Sequence, residues 1–269
     1  HLADEIVAPS QAIAQTVGKK WRIDPSRVSQ IPLVYEPSPA LLAIPVETNT
    51  QRISYVGRLE CRKGVQDLAR AIRRVLRKHP RVHFRFVGAV GMSGEPGVDM
   101  KEYILRTVPT HLHSQLEFTG NVPPEEIPRY LGETDICVFP SHWESFGFVV
   151  LEAMAAGRAI VCTNNSGMAE LLNYGEFGLL VPPKKPRAIA KSLLRLLADP
   201  TLGHDFGRRA RHEGLARYSQ ASVVPRQLHS YERAIAQRRT PFRTPAPQLK
   251  DFRTWLADHI QPPPNKQRA

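Results

Sequence analysis

The sequence predicts an α/β fold, a parallel sheet covered by helices on both faces. Three observations point there. Apolar, β-branched runs alternate with helical patterns along the chain, the order that produces parallel strands joined by crossover helices. Several of those runs end in Gly or Pro, the residues that stop a strand at a turn. One run, ICVFP, leads into such a turn carrying Glu144 and then into an apolar-faced helix carrying Glu152, eight residues further on.

The elements follow in order. ADEIVAPS and then QAIAQTVGKKW read as one strand and one helix. A Pro-rich stretch from Ile31 to Pro45 reads as a connector. RISYVG (Arg52 to Gly57) is a strand, and Val65 to Lys78 is a helix with an apolar stripe of Val65, Leu68, Ala69, Ile72, Val75 and Leu76. VHFRFVG (Val82 to Gly88) precedes a Gly-rich loop and a short helix near Asp99 to Thr107. QLEFTG (Gln115 to Gly120) leads through Pro123 and Pro124 into a helix ending near Leu131. ICVFP (Ile136 to Pro140), a helix from Phe146 to Ala156, AIVCTN (Ala159 to Asn164) and FGLLVPP (Phe177 to Pro183) complete this region. Beyond Ala190 the chain reads as mostly helical to Arg238, and then as a basic, Pro-rich tail with one helix at Leu249 to Ile260. Ligands of such sheets bind outside the carboxyl ends of the strands. The turns at Gly57, Gly88, Gly120 and Pro140 therefore converge on one site.

Composition narrows the class. A hydrophobic content of 42% over 269 residues supports a real core, and no run approaches the roughly 20 apolar residues of a membrane span. Cys137 and Cys162 fall inside apolar strands, Cys61 lies in a polar turn, and no Cys/His cluster has zinc-ligand spacing. A reducing, cytoplasmic setting without disulfides is expected. The first residue is His rather than Met, which suggests a piece of a longer chain. The net charge is +12. Arg70, Arg73, Arg74, Arg77 and Lys78 lie opposite the apolar stripe of their helix, which makes either a solvated face or an attraction to an anionic surface. The basic residues are not interleaved with stacking aromatics, so a nucleic-acid partner is not expected.

The two glutamates are the centre of the functional reading. At about 1.5 Å per helical residue they stand at most about 12 Å apart, a span that fits a nucleoside diphosphate sugar. Between them lie the uncapped N–H groups of Phe146, Gly147 and Phe148, at the positive end of the helix dipole, where a pyrophosphate binds well. A capped helix with two chance acids has the same spacing. Gly57-Arg58 and Lys63-Gly64 add two cations after the first strong strand, as the breaking of a glycosyl–diphosphate bond requires. His142 and Trp143 flank the turn. Trp143 either packs on a sugar face or is structural, and His142 is a weaker candidate for a general base.

GRLECRKG, VGAVGMSG, FTGNV, DICVFPSHWESFGFVVLEAMAAGRAIV, SGMAELL and GEFGLLVPP occur in this order, and together they resemble family 4 of the retaining glycosyltransferases from about Ala3 to Arg238. The resemblance implies a GT-B architecture of two Rossmann-like domains, of which this chain holds the C-terminal, donor-binding one plus a helical C-terminal extension. Residues 1–30 would be a remnant of the N-terminal acceptor domain, 31–238 the donor domain, and 239–269 a basic tail with a crossover helix. By the same resemblance Glu152 would bind ribose hydroxyls and Glu144 the donor sugar near its reacting carbon. Arg58 and Lys63 would hold the diphosphate, the Phe146 and Gly147 region would contact phosphate or sugar through its backbone, and Gly57, Gly88 and Ser145 would also be donor-binding. Asn121 and Val122 would flank the base, and Glu170 would lie near the donor. Glu144, Arg58 and Lys63 are the catalytic candidates. Neither metal nor cofactor is implied, since no Asp-x-Asp motif is present. The chain departs from the family pattern at Leu33-Val34-Tyr35 after the connector Pro, at Ser166-Gly167, and at Ala89-Val90 after Gly88. Two other readings stay open: a nucleotide-sugar-binding module without catalysis, and a basic membrane-docking domain on the same fold.

Overall fold

The computed structural model describes residues 5–24 and 27–236. Two parallel sheets carry the chain. The smaller pairs β1 (Ile6–Ala8) with β2 (Val28–Gln30) through the helix α1 (Gln11–Trp21). The larger has six strands: β3 (Arg52–Val56), β4 (His83–Val87), β5 (Leu116–Gly120), β6 (Ile136–Phe139), β7 (Ala159–Thr163) and β8 (Leu179–Val181). Their spatial order is β5-β4-β3-β6-β7-β8, all parallel.

Alternation along the strands builds two core layers. Ile53 and Tyr55, Phe84 and Phe86, Ile136 and Val138, and Ala159 and Val161 point to one face. Helices α3 (Val65–Lys78), α4 (Met100–Thr107) and α8 (Pro186–Ala198) cover that face. Val56, Val87, Cys137, Phe139, Ile160 and Cys162 point to the other. There α2 (Pro39–Leu42), α5 (Ile127–Gly132), α6 (Phe148–Ala155) and α7 (Gly167–Leu171) close the layer. The six apolar residues predicted for the α3 stripe are all buried. Each large one contributes about 1.5–3 kcal/mol by leaving water. Cys137 and Cys162 are fully buried core residues, and burial pushes the Cys137 thiol up to about 12.

Two boundaries need correction. The helix expected from Phe146 begins at Phe148, because Gly147 takes φ 108° and ψ 64° and serves as its cap. A Cβ there would lie 2.8 Å from Met168 Cγ, so the position favours glycine on both counts. The connector contains a short helix, α2, capped by Ser38 and entered through Pro39, a start signal the Pro-rich composition masked. The connector's end is stapled by Arg158, which is 1% exposed. Its guanidinium donates to Thr134 O at 2.8 Å, Ala156 O at 2.7 Å and Val46 O at 3.2 Å, and also reaches Pro45 O and Thr48.

The chain ends in α9 (Pro200–Arg209) and α10 (Gln220–Ala236). Arg226 of α10 donates to Gln30 O at 2.6 Å, and Arg233 donates to Ser29 Oγ at 2.8 Å and pairs with Glu5. α10 thus packs back on the N-terminal segment. The Leu249–Ile260 expectation lies outside the described residues. Among the described residues no helix is long and apolar enough to cross a membrane.

Candidate functional site

The strand order fixes where a ligand can sit. From β3 the chain winds outward to β4 and β5, then crosses back to β6 on the other side of β3 and continues to β7 and β8. The carboxyl ends of β3 and β6 therefore flank the point where the winding reverses, the crevice that accepts ligands in open α/β sheets. The β3 turn carries Arg58 and Lys63, and the β6 turn carries Glu144. Lys63 Nζ pairs with Glu144 Oε2 across this crevice. Three further ties lock the two turns. His142 N donates to Arg62 O at 2.9 Å, Arg62 Nη1 donates to Trp143 O at 3.4 Å, and His142 Nε2 bonds Asp67 Oδ2 at 2.7 Å. The β7 side holds the same loop: Gly167 N donates to Glu144 O at 3.1 Å, Asn165 to His142 O at 2.7 Å, and Thr163 to Ser141 O at 2.7 Å.

The remaining predicted positions gather at the same edge. Tyr55 donates its hydroxyl to Arg58 O at 2.7 Å and shapes the Gly57–Arg58 turn, leaving the Arg58 side chain 68% exposed with only a 3.4 Å contact to Glu60. Gly88 lies against that turn with φ 140°, and a Cβ there would stand 2.2 Å from Gly57 O. Glycine alone permits two neighbouring strands to bring their turns so close. Gly88 N also donates to Gly120 O at 3.0 Å, which sets Asn121 and Val122 in the adjoining turn. Asn121 is exposed, and Val122 packs on the core.

Glu152 differs from Glu144 in its surroundings. Glu144 accepts from Lys63 and, at 3.3 Å, from Ser145 N, with Arg62 Nη1 at 3.8 Å. Glu152 lies on α6, mostly buried, and no side chain or backbone N–H among the described residues donates to its carboxylate. Desolvation raises its pKa. Tyr35, whose hydroxyl is buried with no hydrogen-bond partner among the described residues, is close enough that burial and the Glu152 charge both push its own pKa up. The N-terminus of α6 has no side-chain cap. The β6–α6 turn thus presents a helix N-terminus without a side-chain cap next to Glu144, with Arg58 and Lys63 on the facing turn and the Glu152 carboxylate further along α6, which suits a ligand with hydroxyls at one end and a diphosphate in the middle.

The Glycosyl transferases group 1 family model matches residues 43–213, more than half of the chain. The chain belongs to that family. It is 35% identical over 169 residues to the D-inositol 3-phosphate glycosyltransferase of Corynebacterium jeikeium, covering 63% of this chain and 40% of that protein. It is 31% identical over 196 residues to the glycogen synthase of Mycobacterium tuberculosis, covering 72% of this chain and 45% of that one. It thus spans less than half the length of these curated relatives. The fold is that of the sucrose-phosphate synthase of Thermosynechococcus elongatus, with a TM-score of 0.67 at 24% identity over 86% of this chain and 58% of that one. It is also that of Anabaena HepE solved with UDP-glucose, with a TM-score of 0.66 at 20% identity over 87% of this chain and 64% of that one.

Within this group 1 glycosyltransferase chain, some predicted residues already have partners. Glu170 accepts from the backbone N–H groups of Gln11 and Ala12, at 2.8 and 2.9 Å, and from Gln30 at 2.8 Å. It thereby holds the start of α1, where a carboxylate also suits the helix dipole. His142 is bound to Asp67 and tied into the loop. Trp143 is 38% exposed. Sequence reading missed Arg62, Asp67, Tyr35 and Ser166, whose buried hydroxyl also has no partner among the described residues. Arg62 stands inside the quoted GRLECRKG run, so adjacency to Lys63 was the available signal. Tyr35 comes from a connector more than a hundred residues away from Glu152, and no local pattern reveals it.

Proposed function

We propose that this chain is the donor-binding half of a retaining glycosyltransferase that moves a hexosyl group from a nucleoside diphosphate sugar to an acceptor hydroxyl. The observation that carries the reading is Glu152, a desolvated carboxylate with no donor among the described residues, on the helix that follows the turn holding the Lys63–Glu144 bridge at the switch point. A ribose diol supplies the two donors such a carboxylate lacks. Glu144 is held by Lys63 and Arg62 at the rim and would accept from the donor sugar. Lys63 retains N–H donors for the diphosphate, and Arg58 reaches it from solvent. In the reaction the bond from the anomeric carbon to the diphosphate oxygen breaks and its electrons leave with the diphosphate. The acceptor oxygen takes that place on the same side, and its proton passes to the departing diphosphate oxygen. Arg58, Lys63, Arg62 and the uncapped α6 N-terminus stabilise the charge that builds on the leaving group, so the reading needs no metal. HepE solved with UDP-glucose on the same fold supports a donor of this class.

In this reading residues 1–30 belong to an acceptor-domain wall, and transfer requires the rest of that wall. The site lies in the cytoplasm, where sugar nucleotides are made. Calorimetric titration of the chain with UDP, GDP and ADP tests the donor assignment. Binding of one of them, weakened by Glu152→Ala, is expected. No heat at millimolar nucleotide, with Glu152→Ala indistinguishable from the native chain, would sink it.

A further inference from the structure

The helical layer on the α3 side carries a charge pattern that the donor site does not use. α3 and α8 pack side by side over the sheet, and a groove between them is lined by Arg70, Arg74, Lys185 and Arg187, with Ala71, Pro186 and Ala190 in the same groove. Arg73, Arg77, Lys78 and Lys191 are exposed beside it. The two helices contain one acidic residue between them, Asp67, which is 4% exposed. It is engaged by His142 at 2.7 Å and Arg70 at 3.7 Å. Arg74, Lys185 and Arg187 have no ion-pair or hydrogen-bond partner for their side chains among the described residues.

The shape of this patch selects its partner. Arg70, Arg73, Arg74, Arg77 and Lys78 follow one helix face, which extends the field over the roughly 20 Å length of a 14-residue helix. A single phosphate would need convergent donors in a pocket; a row of separate cations flanking small apolar residues matches a plane of negative charge over hydrocarbon. A nucleic acid is the poorer fit. The groove has no aromatic lining residue, and the nearby Tyr103 is 8% exposed and takes a 2.6 Å hydrogen bond from Arg70, so no ring is available for stacking.

We propose that the α3–α8 face docks the chain onto a bilayer bearing anionic phospholipid. Docking would leave the site edge clear, since Arg70 and Arg74 lie about 9 and 15 Å along α3 from its start at Gly64, beside the Lys63–Glu144 bridge. The proposal stands apart from the donor reading, because it requires no nucleotide.

The test is co-sedimentation of the full chain with phosphatidylcholine vesicles, with and without about one third phosphatidylglycerol. The native chain is compared with Arg74→Gln/Lys185→Gln/Arg187→Gln and with a charge-matched control, Lys19→Gln/Lys20→Gln/Arg129→Gln. Circular dichroism confirms that each is folded. Expected are binding to the anionic vesicles only, a loss on the order of a hundredfold in the groove variant, near-native binding by the control, and release at about 1 M salt. Equal losses in both variants would assign the effect to net charge and overturn the proposal. So would unchanged vesicle binding in the groove variant, which points to another segment. Groove-dependent binding to duplex DNA without binding to vesicles would overturn it in favour of a nucleic acid.

Discussion

Replacing Glu152 by Gln separates what the site gains from what the fold loses. The native carboxyl is mostly buried and its pKa is raised by desolvation alone. It therefore binds its proton more tightly folded than unfolded. The stability it contributes is complete below the ordinary glutamate range and is lost as pH rises through the folded pKa. Gln keeps the shape and hydrogen-bonding of the neutral form at every pH. A change of about 1 kcal/mol moves the midpoint of a domain this size by roughly 2–4 °C, which is the difference the comparison has to resolve. Glu152→Gln should therefore melt higher near neutral pH, with the gap closing in acid. The same change removes a charged acceptor, so nucleotide affinity should fall roughly ten- to a hundredfold. Scanning fluorimetry across about pH 4 to 8 and calorimetric titration read the two effects. A variant that is no more stable at neutral pH, or whose advantage grows in acid, refutes the desolvation argument. Unchanged affinity refutes the role in binding.

Three other outcomes follow from contacts across the fold. Lys63→Gln leaves the 14%-exposed Glu144 carboxylate without its nearest cation and should cost about 1–3 kcal/mol in urea denaturation, most of it recovered in Lys63→Gln/Glu144→Gln; no recovery would show that the pair is not coupled. Arg158→Leu strands several buried carbonyls of the connector and the β6 start and should cost at least about 3 kcal/mol, whereas a loss below about 1 kcal/mol would mean that other donors replace it. Glu170→Ala should speed hydrogen exchange at the Gln11 and Ala12 amides by loosening α1, while exchange in β3 and β6 stays slow. Equal acceleration everywhere would contradict a local role.

The sequence made much of the fold legible because its signals are local. The α3 stripe and the strands ending at Gly57, Gly88 and Gly120 each depend on neighbours within a few residues. The helix start at Phe148 was misplaced by two residues because Gly147 takes a left-handed backbone and ends the turn there, at a place where Met168 of another element leaves no room for a Cβ. Lys63, Glu144 and Glu152 were recognisable by type and spacing. That Lys63 grips Glu144 while Glu152 has no donor was not, since pairing depends on which strand lies beside which.

By itself, then, the sequence determined an α/β chain of parallel strands with its polar turns at one edge, and the residue types gathered there. Only the tertiary structure decided that β6 returns to the far side of β3, which makes the gap between Lys63 and Glu144 a crevice. It also committed Glu170 and His142 to holding loops, and set the cations of α3 and α8 on one surface. The physical reason is the same in each case. Periodicity and capping are settled by contacts a few residues long, whereas strand order, desolvation and charge pairing are settled by residues brought together from distant parts of the chain.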